Sequence, residues 1–215
     1  MKEVLLSEKL SAEVSSIYES MEADYDVVAK KLKFSCDGCP DNCCDSYFQH
    51  HTYTEWAYLF QGFREQSEEK QQEIIKRAHQ YILECAAAES REERPQVMCP
   101  LNEDGRCILY KHRLMVCRTH GVPAGMRRPD GQTLNFPGCF RCQEIVSRKF
   151  VHDSEAPQME RTPLLQRLVA VERELMGDKI HLLPRVKLTI AQMLVQGPPA
   201  TATPHCERPG IKPGV

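Results

Sequence analysis

Cys36-Asp37-Gly38-Cys39-Pro40-Asp41-Asn42-Cys43-Cys44 is the stretch on which the reading of this chain turns. Asp-Gly and Pro-Asp-Asn are turn formers, so the stretch reads as a loop. Its spacing is C-x2-C-x3-C-C. A two-residue gap lets one turn of backbone point two thiolates at one metal, as in zinc knuckles and iron–sulfur loops. Gly38 supplies the tight turn between Cys36 and Cys39. Cys43 and Cys44 are adjacent, and neighbouring side chains diverge. They can serve different metals, or one can be a ligand and the other a thiol beside it.

Working outward, the chain holds 11 cysteines in 215 residues, with a net charge of -2, 41% hydrophobic and 27% charged residues. This is an ordinary globular composition. Its near-neutral charge argues against nucleic acid and anionic membranes as partners. The N-terminus has no apolar run longer than Val4-Leu5-Leu6, and no stretch is long enough to span a bilayer. A cytoplasmic chain is therefore expected, with no membrane partner. Cytosolic thiols stay reduced, so its cysteines point to metal ligation before disulfides.

Two cysteines stand apart. Cys85 falls on the apolar stripe of an expected helix and reads as core, since a free cysteine behaves there as a small hydrophobe. Cys206 lies in a Pro- and Gly-rich end and reads as a free surface thiol. Nine remain as candidate metal ligands: Cys36, Cys39, Cys43, Cys44, Cys99, Cys107, Cys117, Cys139 and Cys142. Cys99 and Cys107 flank Asp104-Gly105, a hairpin signal that would bring their sulfurs together. Cys139-Phe140-Arg141-Cys142, after Pro137-Gly138, is a second C-x2-C knuckle by its spacing.

From Gly105 to Pro129 the sequence has no acidic residue but six basic ones, Arg106, Lys111, Arg113, Arg118, Arg127 and Arg128. A four-thiolate site with Zn2+ or a [4Fe–4S] cluster carries about -2 charge, which needs positive neighbours. Arg113 and Arg118 are candidates for that role, with Tyr110 as a packed aromatic beside the ligands. A solvated basic surface, or a strip receiving an anionic substrate, are the other readings. His50, His51, His112 and His120 lie near cysteines and can each replace one ligand. There is no P-loop, no dinucleotide-binding glycine motif and no H-E-x-x-H.

Helices are expected around this centre. Leu10, Val14, Ile17, Met21, Tyr25, Val28 and Leu32 recur with the helical period, predicting a helix over 4–33. Thr52 and Glu55 fit a capping box for a helix carrying Trp56, Leu59, Phe60 and Phe63. Ser67 caps another, with Ile74, Ala78, Tyr81, Ile82 and Cys85 on one face, fading before Pro95. Thr162-Pro163 starts a helix that Gly177 stops, and a last helix is expected from near Pro184 to Gly197. The fold class is mainly α: helices packed around an irregular cysteine-rich metal-binding centre. One domain is expected over 1–196, followed by a disordered tail over 197–215.

The block at 36–44, followed by Cys99-Pro100-Leu101, Gly105-Arg106-Cys107, Tyr110, Arg113 and Cys117-Arg118, resembles the YkgJ-like cysteine-cluster family. That family is described as a zinc- or iron-chelating domain of bacterial type. The resemblance covers roughly 34–142 and departs at Leu114, where the family usually has proline. It implies a bound zinc or iron–sulfur cluster. A related branch includes flagellin lysine methylase, which implies S-adenosylmethionine-dependent group transfer.

The leading expectation is an iron–sulfur protein of redox or group-transfer type, acting on a protein or small-molecule partner. A zinc-organised structural or protein-binding module without catalysis is the alternative, and metal storage or delivery a third reading. Replacing Cys39 by Ser is expected to lose metal and lower stability, and Cys206→Ser to change neither. Metal content and thermal melting of the two variants check this.

Overall fold

The computed structural model describes residues 2–37, 39 and 43–201. Gly38, the Pro40–Asn42 turn and Cys206 lie outside the described residues. Among those described, seven α-helices and a few short strands make the chain mainly α.

β1 (Lys2–Glu3) leads into α1 (Glu8–Leu32), whose first turn is capped by the Ser7 hydroxyl accepting from the Leu10 amide. The expected stripe is the buried face, with Tyr25 alone of its seven members half-buried. Lys33 ends the helix in the left-handed conformation, its amide returning to the Ala29 and Lys30 carbonyls. Between α1 and α2 (Tyr53–Arg64), a short 3-10 turn at Cys43–Asp45 is the only helix or strand among the described residues. α3 (Glu68–Glu89) follows under its Ser67 cap and stops before Pro95, as expected.

The irregular centre contains more structure than its sequence suggests. β2 (Asn102–Glu103) and β3 (Arg106–Cys107) form the expected hairpin, with Asp104 at φ 49° and Gly105 at φ 81°, a two-residue turn with both φ positive. α4 (Met115–Thr119) carries Cys117. Leu114, just before it, has φ -76° and ψ 163°, values that proline also adopts, and its side chain is fully buried. β4 (Ala124–Arg127) pairs antiparallel with β5 (Thr133–Phe136). α5 (Phe140–Lys149) then starts where a loop knuckle was expected. β6 (Met159–Glu160) runs parallel beside β4, giving the order β5-β4-β6.

α6 (Thr162–Met176) ends at Gly177, as expected, with its φ at 65°. α7 (Ile190–Gln196) starts later than expected. Leu188 is in a bridge with His50, and Thr189 forms a full capping box with Gln192. That bridge needs extended backbone, so the helix cannot reach back to Pro184. The first residues of the expected tail are structured: β7 (Ala200–Thr201) pairs antiparallel with β1, and 202–215 lie outside the described residues.

Two apolar clusters form the core. One joins α1, α5 and α6 with Val122 and Met159. The other joins α2, α3 and α7 with Leu101, Leu109 and Leu114. No helix of the described residues is long and apolar enough to cross a membrane.

Two buried carboxylates link the helices. Glu172 of α6 accepts from the Tyr53 amide (2.9 Å), the Thr54 amide (2.7 Å) and the Thr54 hydroxyl (2.6 Å). It thus satisfies open donors in the first turn of α2 from outside, where the helix dipole favours negative charge. Glu55 departs from the expected capping box. The Thr52 hydroxyl does accept from the Glu55 amide, but the Glu55 carboxylate accepts from the Met115 amide of α4 (2.8 Å). Burial pushes the Glu55 carboxyl up, and the hydrogen bonds that the carboxylate accepts from the Met115 amide and the Thr52 hydroxyl (3.0 Å) oppose it. Glu172→Ala would strand three donors and should destabilise the fold by about 3 kcal/mol or more. Glu172→Gln, which keeps one acceptor oxygen, should lose less. Urea unfolding of both variants measures the difference.

Candidate metal centre

The nine candidate cysteines do not form one cluster. They divide into two sets with Cys43 between them. The inner set lies against the α2–α3–α7 core. Cys43, Cys44, Cys99, Cys107 and Cys117 line one cavity of about 60 Å³, together with His50, His112 and Arg113. Local hydrogen bonds fix this lining. The Cys99 amide donates to the Cys44 carbonyl (2.9 Å), and the Asn102 amide to the Cys99 carbonyl (2.9 Å). Cys107 stands opposite Asn102 in the hairpin, so the turn does bring it towards Cys99. Cys117 is held by α4, whose start is fixed by Glu55.

The inner thiols act on one another. Cys99 is pushed well up by burial, with Cys117, Cys107 and Cys44 adding to the effect. Burial raises Cys107 to about 11 and Cys117 to about 12, in both cases against the pull of Arg113. Cys44 moves the other way. A hydrogen bond from Cys43 is the main cause of its fall to about 6, and the Arg113 charge contributes. The same bond, with burial, drives Cys43 up. Cys43 feels Cys44, Cys117 and Cys36, so it faces both sets.

The outer set lies on the α1–α5–α6 core. It comprises Cys36 and Cys39, just beyond α1, and Cys139 and Cys142 at the start of α5. Cys139 is the N-cap of α5, so its sulfur stands at the helix start, where the amides of the first turn are open and the dipole favours negative charge, although it makes no side-chain cap hydrogen bond. Cys36 and Cys39 are its charge neighbours, while Cys142 feels Cys139 and Cys36. The Tyr25 hydroxyl lies 3.7 Å from the Cys36 sulfur. Gly138 lets the chain entering Cys139 pass close to the Gly121–Pro123 backbone, where the Cys139 amide donates to the Gly121 carbonyl (3.3 Å). At φ 84° it sits where a Cβ would come within 2.9 Å of the Gly121 carbonyl oxygen.

In neither set do the side chains already converge. Among the described residues, no group of three or more His, Cys, Asp or Glu is placed to hold a metal ion as it stands. A metal held by either set would have to draw the sulfurs inward.

The expected neighbours separate by role. Arg113 lines the cavity and acts on three of its thiols, with its guanidinium 3.7 Å above the Tyr110 ring and its Nε buried without a partner. Tyr110 is half-exposed on the outer side of that stack. Arg118 acts mainly on the backbone. It donates to the Arg113 (2.7 Å), Lys111 (2.7 Å) and Tyr110 (3.3 Å) carbonyls and lies over the Tyr18 ring, so it holds the turn that presents Arg113. His51 contacts the Val186 carbonyl, and His120 packs on Phe48, which lines the cavity, while neither His51 nor His120 lines it. His50 is fully buried, and both its ring nitrogens lack partners. Cys85 is core, as expected.

Sequence reasoning passed over Tyr25, Arg141 and Lys149. Tyr25 was read only as a stripe residue. Arg141 hydrogen-bonds Cys39, and a cation inside a C-x2-C pair was a signal in plain view. No family model, no curated protein and no solved structure matches the chain.

Burial lowers His50 from 6.5 to about 3, so it is neutral in the fold near neutral pH. Its depressed value stabilises the fold fully above pH 6.5. That stability is lost as pH falls towards 3, at up to about 1.4 kcal/mol per pH unit, because only the unfolded chain takes up the proton. His50→Leu should flatten acid unfolding across this window. Denaturant midpoints at stepped pH check it.

Proposed function

We propose that this chain is a cysteine-cluster metalloprotein that holds an iron–sulfur cluster at the inner cavity, with Cys44, Cys99, Cys107 and Cys117 as ligands. The observation that carries this reading is the cavity itself. Its thiols stand around a space of about 60 Å³ instead of meeting at a point, which suits a multinuclear group better than a single ion. The ligand set is thiolate-only, the soft donor type that selects such clusters. The resemblance to the YkgJ-like family supports the same class.

A bound cluster would supply one-electron chemistry to a redox or group-transfer reaction. The chain's own residues do the rest. Arg113 offsets the negative charge that four thiolates bring into a dry site. The buried wall of Leu59, Leu101 and Leu109 excludes water. His50, neutral and fixed by its backbone bridge to Leu188, offers one N–H and one lone pair to whatever occupies the cavity. The partner is a small molecule or protein that exchanges electrons or a group near this wall.

Protein purified without oxygen should contain iron and acid-labile sulfide in equal amounts, about four of each per chain for a [4Fe–4S] centre. Cys99→Ser should lose both, and Cys85→Ser should keep both. Arg113→Gln should shift the midpoint potential to more negative values, since a nearby positive charge favours the reduced state. Absence of sulfide and of visible absorbance in the wild type would refute the cluster.

A further inference from the structure

We infer that Cys36, Cys39, Cys139 and Cys142 form a second metal centre, separate from the inner cavity, that takes one Zn2+ through four thiolates. This centre ties the end of α1 to the start of α5. It shares with the reading above only the premise that the cysteines serve metals, and it stands or falls independently of the inner cluster.

The sets rest on different apolar cores. Cys142 is wholly buried in the α1–α5–α6 cluster and Cys139 packs against it, whereas Cys99, Cys107 and Cys117 pack on the α2–α3–α7 cluster. The outer set is also two C-x2-C pairs from distant parts of the chain, carried on segments that pack together: Tyr25, which touches Cys36, and Phe34 share one apolar cluster with Cys139 and Cys142, and Lys149 of α5 bonds the Leu32 carbonyl at the end of α1. In each pair one turn of backbone can aim two sulfurs at one ion, and two such pairs complete a closed tetrahedron.

The surroundings are built for anionic sulfur. Cys139 sits at the N-terminal end of α5, where the helix dipole favours negative charge, and the Tyr25 hydroxyl lies 3.7 Å from the Cys36 sulfur. Zn2+ binding to four thiols releases four protons to solvent and leaves a complex of net charge -2. Two cations are in place to meet it. Arg141 hydrogen-bonds Cys39, and its Nη1 is buried without a partner. Lys149 bonds the Leu32 carbonyl at the end of α1, and its charge acts on Cys142.

The choice of zinc follows from exposure and ligand pattern. Cys36 is exposed and Cys39 and Cys139 are half-exposed. Zn2+ has no redox chemistry and tolerates such a position, where a cluster would meet oxygen. The tie also matters to the inner site, because the segment leaving Cys39 leads directly to Cys43 and Cys44.

The test measures zinc, iron and sulfide per chain in the wild type, in Cys139→Ser/Cys142→Ser and in Cys99→Ser/Cys117→Ser. One zinc per wild-type chain is expected. It should be lost from the first variant with iron and sulfide retained, and kept in the second with iron lost. Zinc-edge absorption of the wild type should give four sulfurs at about 2.3 Å. This measurement holds even if a variant fails to fold. Zinc present without iron would sink the inner cluster and leave this centre standing. Three results would overturn it: no zinc in the wild type with no uptake of added Zn2+, nitrogen or oxygen ligands at the zinc edge, or zinc unchanged in a folded Cys139→Ser/Cys142→Ser protein.

Discussion

Two buried carboxylates, each at the start of a helix it does not belong to, hold the centre of this protein in place. Glu172 reaches from α6 to the first turn of α2, and Glu55 reaches from α2 to the first turn of α4. A buried carboxylate is costly unless donors surround it, and a helix N-terminus offers unsatisfied amides and a positive dipole end. Each partner therefore meets the other's need. The result is a chain of fixed helix starts, α6 to α2 to α4, that ends at Cys117. Without it, α4 would be a five-residue helix with no side-chain cap of its own.

The inner thiols show what such placement costs. Burial holds Cys99, Cys107 and Cys117 in the protonated state, since a thiolate in a dry wall is unfavourable. Arg113 and the Cys43–Cys44 hydrogen bond work in the opposite direction at Cys44. A cationic group arriving in the cavity would reverse the balance for all four at once, exchanging protons for metal charge. On this reading the unpartnered nitrogens of His50 and Arg113 belong to the same design, as polar groups left open where a guest sits.

Much of the frame was legible in the sequence because its signals are local. The α1 stripe, the Ser67 cap, the Asp104-Gly105 hairpin and the Gly177 stop each depend on a few neighbouring residues. Three features were not. α5 begins inside a motif that reads as a knuckle, because Cys139 serves both as helix cap and as a member of the outer set. α7 is short because Leu188 is drawn into a bridge with distant His50. The Thr52–Glu55 box is only half made because a remote amide claims the carboxylate.

The sequence by itself determined that nine cysteines are set apart from an ordinary helical chain, and in which spacings. Spacing fixes which sulfurs one turn of backbone can bring together, so each C-x2-C pair and the hairpin pair are readable without a fold. Only the tertiary structure decided how the pairs combine: Cys36 and Cys39 with Cys139 and Cys142, and Cys44 with Cys99, Cys107 and Cys117. That division depends on which apolar core each segment is packed against, and packing between distant segments leaves no local trace in the chain.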